Sequence, residues 1–87
     1  MKEYEKILKA LANRRRLEIL KYLKEKKVAT VGELADKIKL SFKSTSKHLV
    51  ILGNLDILEY TGKDNHVSYS LSKQTPEDIR KVLRLFN

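Results

Sequence analysis

Eighty-seven residues with a formal net charge of +8 and no cysteine set the first limits. They predict one small domain, 1–87, that buries about 60% of its unfolded surface and needs a partner to add burial. The missing cysteines exclude a disulfide framework and thiolate chemistry. The longest apolar run, Leu49 to Leu52, is far too short for a membrane span.

The mixed-charge N-terminus does not read as a signal peptide, and cytoplasmic residence is expected. Tyr4, Ile7, Leu8 and Leu11 recur at helical spacing, predicting an amphipathic helix from about Glu3 to Ala12. Asn13 is a good N-cap for a second helix, with apolar positions at Leu17, Ile19, Leu20, Tyr22 and Leu23. Arg14, Arg15 and Arg16 open that helix where cations oppose the dipole, so a compensating contact is expected, either with Glu18 or another acid or with DNA. Lys24 to Lys27 suit its C-terminal end.

Val28 and Ala29 predict a one-bridge strand. Thr30, three residues ahead of Glu33, has capping-box spacing and starts a third helix with Leu34, Ala35 and Ile38 inside. Ser41 caps a fourth helix running to about Leu55, so 30–55 is a helix-turn-helix. With a step of about 100° per residue, Thr45, Leu49, Leu52 and Leu55 share an inner face and Lys43, Lys47, Val50 and Asn54 the opposite one.

Beyond Asp56 the apolar period changes to two, through Leu58 and Tyr60 and then Val67, Tyr69 and Leu71. Gly62 to Asn65 has hairpin-turn composition, giving a wing over 57–71. Thr75 is expected to cap a last helix, with Pro76 first and Glu77 and Asp78 in its opening turn. Ile79, Val82, Leu83 and Phe86 form its apolar stripe.

Between Asp36 and Asp56 the chain has no acid, yet it carries Lys37, Lys39, Lys43, Lys47 and His48. Cations and short hydroxyl side chains in a helix-turn-helix suit phosphates and base edges. The candidate DNA contacts are Lys39, Ser41, Lys43, Ser44, Ser46, Lys47 and His48, with Lys63 and Asn65 at the wing tip. His48 admits two readings, a partly buried structural histidine or a phosphate contact, and His66 is either a backbone contact or none. A membrane-binding helix would need one basic face, whereas these helices alternate Glu with Lys. No glycine-rich phosphate loop and no metal-spaced histidine pair is present, so no catalytic residue, cofactor or metal site is expected.

The element order is that of a winged helix-turn-helix: mainly α, five helices, a small β-hairpin wing. Leu11 to Leu23, reading Leu-Ala-Asn-Arg-Arg-Arg-Leu-Glu-Ile-Leu-Lys-Tyr-Leu, resembles the second-helix signature of the ArsR-type repressor family. Leu40-Ser41 with Ser46, His48, Leu49 and Leu52 is similar to that family's recognition helix, and Tyr69 with Leu71 to the end of its second wing strand.

The resemblance implies a homodimeric transcriptional repressor binding double-stranded DNA, with its first and last helices, 1–12 and 75–87, at the subunit interface. Tyr4, Ile7, Leu8, Leu11, Ile79, Val82, Leu83 and Phe86 are the candidate interface residues; the alternative is a monomeric core. It also places Lys43 to Lys47 in the major groove. Thr30-Val31-Gly32 stands where metal-sensing members carry Cys-x-Cys, and Asp78 has no histidine beside it, so soft-metal sensing is not expected. Asp56 stands where a glycine usually closes the helix and needs a local cap. The alternative function is a winged-helix module docking an acidic protein partner through Val50, Ile51 and the basic surface; a further alternative is sequence-indifferent DNA coating.

Overall fold

The computed structural model describes residues 2–63 and 66–86, with side chains over 4–62 and 67–85. Its elements in chain order are α1 (Lys2–Leu11), α2 (Arg14–Lys26), β1 (Ala29–Thr30), α3 (Val31–Ile38), α4 (Phe42–Asn54), β2 (Leu58–Lys63), β3 (His66–Leu71) and α5 (Glu77–Leu83), which tightens into a 3-10 turn over Arg84–Phe86.

Three helix starts follow the local sequence. The Asn13 side chain accepts from the Arg16 amide, Thr30 and Glu33 form the reciprocal capping box, and Ser41 Oγ accepts from the Ser44 amide. Each removes one or two of the unpaired amides that every helix start leaves. β1 lies one residue later than the Val28–Ala29 expectation because Val28 is exposed and Ala29 buried. It is a third strand: β3 sits in the middle, with Ala29 opposite Tyr69 on one side and Leu58 opposite Leu71 on the other. The β2 and β3 strands run to Lys63 and His66, longer than their alternation suggests.

α2 is the central element, touching α1, α3, α4 and β3. Its Ile19, Leu20 and Leu23 pack with Leu34, Ile38, Leu49, Leu52, Ile57 and Leu58 in one core that also takes Ile7 and Leu11 from α1 and Ile79 and Leu83 from α5. At roughly 1.5–3 kcal/mol for each fully buried large aliphatic side chain, this core dominates the favourable side of folding.

The three helix exits are less conventional. Lys27, Lys39 and Asp56 all have positive φ, and no described glycine does. At the end of α4 the Asp56 amide donates to the Gly53 carbonyl and the Ile57 amide to the Leu52 carbonyl. This is the Schellman pairing, with aspartate at φ 59° where glycine fits without a Cβ penalty. Asp56→Gly is therefore expected to stabilise the fold by about 0.5–1 kcal/mol, raising Tm by about 2–8 °C in a calorimetric scan. An unchanged or lower Tm would refute that reading of the turn.

Thr75 departs from expectation. Its side chain does not cap α5; Pro76 occupies the N-cap position without a side-chain bond. The buried Thr75 hydroxyl instead lies 3.2 Å from the Asp56 carbonyl and 3.4 Å from that of Ile57. The Ile57 carbonyl already accepts from the Ser72 amide, so the single hydroxyl proton serves the part-buried Asp56 carbonyl at the α4 exit, where an unmet acceptor is costlier than an uncapped, solvent-facing helix start. Arg80 secures the same corner, donating to the carbonyls of Ser72, Lys73 and Thr75. Lys24 ties α2 to the last turn of α5 through the Leu83 carbonyl.

Candidate nucleic-acid interface

α3 and α4 form the helix-turn-helix, joined at Lys39 and Leu40. Lys39 takes the left-handed conformation at the end of α3, its amide donating to Asp36 and that of Leu40 to Ala35. In α4, Thr45, Leu49 and Leu52 are fully buried against the core. The turn and that inner face fix which side of α4 meets solvent.

Lys43, Lys47, Val50 and Asn54 all emerge on the exposed side, as the helical phase predicts, and Lys39 and Ser41 are exposed just before them. Ser44 and Ser46 are half-buried at its flanks. Among the described residues, Lys39, Lys43 and Lys47 enter no ion pair. Lys37 is turned elsewhere, its ammonium 5.7 Å from the Tyr22 ring centroid on α2. Ser41 Oγ is occupied as an acceptor by the Ser44 amide, which leaves its O–H free to donate.

No acid stands in the first turn of α4, whereas α3 carries Glu33 there and α5 carries Glu77 and Asp78. The partial positive charge of the α4 start is therefore uncompensated and adds to the lysines. Together they make a one-signed surface suited to a polyanion.

Two of the three arginines that open α2 find compensating contacts. Arg14 and Arg15 lie 3.9 and 3.7 Å from Glu18 Oε1, and Arg15 also donates to the Ile38 carbonyl. That carbonyl ends α3, where a cation is favoured by the dipole. Arg16 does not pair with Glu18; its buried Nε has no partner.

The Nδ1 of His48 on α4 is likewise buried and unpartnered. Burial holds the His48 pKa below its ordinary 6.5, helped by repulsion from Arg16 and then Arg15. The folded chain thus carries a neutral imidazole at pH 7. As pH falls below about 6.5 the unfolded chain takes the proton first, so stability drops through that range until the folded form protonates as well. In urea unfolding at pH 7.5 and 5.5, His48→Gln should show a smaller acid loss than the native chain; an equal loss would assign the effect elsewhere.

The wing-tip candidate Asn65 and the side chains of Lys63, His66 and Phe86 lie outside the described residues. Of the other proposed interface residues, Ile7, Leu11, Ile79 and Leu83 are buried in the chain's own core and Val82 packs half-buried against it, while Tyr4 and Leu8 are exposed. Leu85, outside the predicted stripe, is 78% exposed. Phe42 carries no sequence signal of its own: its phase points inward with Leu49, but in the first turn of α4 it protrudes and is 63% exposed. No described group of His, Cys, Asp or Glu side chains is arranged to hold a metal ion. No helix among the described residues is long and apolar enough to cross a membrane.

No match is found among the curated proteins. The family model described as bacterial regulatory protein, arsR family, matches residues 13–60, from the Asn13 cap to the first wing strand. Among solved structures, HlyU from Vibrio cholerae N16961 is 33% identical over 97% of this chain and 91% of its own, with a TM-score of 0.81. The homodimeric winged helix-turn-helix DNA-binding domain of Mb0332 from Mycobacterium bovis, a possible ArsR-family transcriptional regulator, is 25% identical over 97% of this chain and 74% of its own, with a TM-score of 0.80. The transcriptional repressor PagR of Bacillus anthracis shares the fold at 22% identity, covering 99% of this chain and 94% of its own with a TM-score of 0.82. With a cationic α4, a three-stranded sheet that ends in a hairpin wing, and a family match spanning more than half its length, this chain belongs to the ArsR family of bacterial transcriptional regulators, which regulate by binding DNA.

Proposed function

We propose that the chain is a homodimeric transcriptional repressor that binds double-stranded DNA sequence-specifically, works in the cytoplasm, catalyses no reaction and senses no metal. The observation that carries the reading is the exposed side of α4, acid-free, uncompensated at its start and bearing Lys43 and Lys47 with Lys39 just before it. In the dimer, two copies of α4 enter major grooves about one helical turn, roughly 34 Å, apart. Lys39, Lys43 and Lys47 meet phosphates; Ser41, Ser44, Ser46 and His48 meet phosphates or base edges. Lys63 and Asn65 in the wing meet the flanking backbone.

Tyr4 and Leu8 of α1, with Val82 and Leu85 at the other end of the chain, supply the subunit contact. The homodimeric Mb0332 domain supports two-fold assembly, and the repressor PagR has the same fold. Against metal sensing stand Thr30 to Gly32, engaged in a helix start rather than carrying thiolates, and an α5 without histidine.

Selection of bound duplexes from a random library should return an inverted repeat. If the dimer neutralises on the order of 6–10 phosphates, its affinity falls by about 10³–10⁵ between 50 and 200 mM salt. A flat salt response, or equal binding of random and selected duplexes, rejects the reading. The exposure of Val50 and Ile51 favours a second one, docking on an acidic protein partner, which predicts no selected duplex at all.

A further inference from the structure

The exposed side of α4 is not only cationic. Phe42 is 63%, Val50 54% and Ile51 40% exposed; with Lys43, Ser46 and Lys47 they line one shallow, apolar-walled depression of about 680 Å³. The spacing of four places Phe42, Ser46 and Val50 along one ridge, and Lys43, Lys47 and Ile51 along the next. The core needs none of these: Thr45, Leu49 and Leu52 already fill the inner face of α4.

An apolar strip between lysines, with no acid from 37 to 55, fits a partner that is polyanionic outside and offers small apolar groups inside. The major groove of duplex DNA is such a surface. Its floor presents one hydrocarbon group, the C5-methyl of thymine, and recognition helices meet base edges mainly with their N-terminal residues. Phe42 is the first residue of α4.

Resting on the DNA-binding reading above, we propose that Phe42 and Val50 are specificity-determining residues that pack on thymine C5-methyl groups in each half-site. Lys43 and Lys47 hold the flanking phosphates and set the depth at which those side chains sit. Phe42 reads the thymine nearest the helix start and Val50 one about two helical turns along α4. The half-sites are accordingly thymine-bearing beneath the helix, independently of any hydrogen bond from Ser46.

The test uses the tightest duplex selected from a random library, with its thymines replaced pairwise across the two half-sites by deoxyuridine. This removes only the methyl group and preserves base pairing. The native chain should lose about fourfold in affinity for each contacted methyl, hence roughly fifteenfold for a symmetric pair. Phe42→Ala should bind the thymine and uracil duplexes equally at one such pair, and Val50→Ala at another. Both side chains are exposed, so unchanged circular-dichroism melting verifies that each variant folds.

Salt-dependent binding by the native chain that is equally tight for every uracil duplex overturns the methyl contact and leaves DNA binding standing. So does a selected site without thymine beneath α4. Failure of the folded native chain to bind any selected duplex overturns both readings together.

Discussion

Reversing charge at Lys43 and Lys47 together, Lys43→Glu with Lys47→Glu, is expected to lower duplex affinity by at least about 10³-fold at 50 mM salt while leaving fold and dimer intact. Both side chains are exposed and enter no described ion pair, so their replacement removes no folding contact. Exposed charges of this kind contribute little to stability. Their effect on binding is multiplied because each occurs twice per dimer: four phosphate contacts account for about 3.6 in the slope of log affinity against log salt. Electrophoretic mobility or fluorescence anisotropy over a salt series reads both quantities. Unchanged affinity and slope would move the DNA-binding surface off α4 altogether.

The second large effect belongs to the subunit contact. Leu8→Glu with Leu85→Glu is expected to give folded single chains at micromolar concentration in sedimentation, where the native chain gives dimers. Leu8 is 55% and Leu85 78% exposed in the single chain, so glutamate there meets water until a second copy arrives, when a buried unpaired carboxylate becomes prohibitive. Tyr4, Leu8 and Ala12 border one shallow depression on α1 for the partner to fill. Losing the second recognition helix forfeits the avidity of a linked pair, so affinity for an inverted repeat should fall by about 10²–10⁴. Ile7→Glu, by contrast, enters the chain's own core and should unfold it. A doubly substituted chain that still sediments as a dimer would place the interface elsewhere.

What the sequence made legible was mostly local. The Asn13, Thr30 and Ser41 caps have their partners three residues ahead and form as expected, and the periodicity of α4 separated Leu49 and Leu52 from Lys43 and Lys47. The departures involve partners distant along the chain. Thr75 had the local pattern of a cap, but the carbonyls its hydroxyl approaches, those of Asp56 and Ile57, lie 19 and 18 residues away. Arg15 is drawn to Ile38 rather than wholly to Glu18 for the same reason.

Periodicity also says that a stripe is apolar without saying which molecule covers it. Ile7 and Leu11 therefore read like Leu8, though only Leu8 is left outside. The exposure of Phe42 is invisible to a helical wheel, which ignores where the helix begins: a position in phase with the core finds nothing beneath it in the first turn. The Asp56 departure from glycine was visible, and its positive φ is the structural form of that departure.

The corner where Thr75 grips the exit of α4 has a mechanical consequence. The far end of α4 is bolted by the Thr75 hydroxyl to the segment that leads into the terminal helix, and the Arg80 fork of that helix stiffens the bracket. In the proposed dimer, a rotation of α5 against the partner would carry the base of α4 with it. The pitch of the two α4 helices in that dimer would thus be set by the handshake between subunits, before either helix touches a groove.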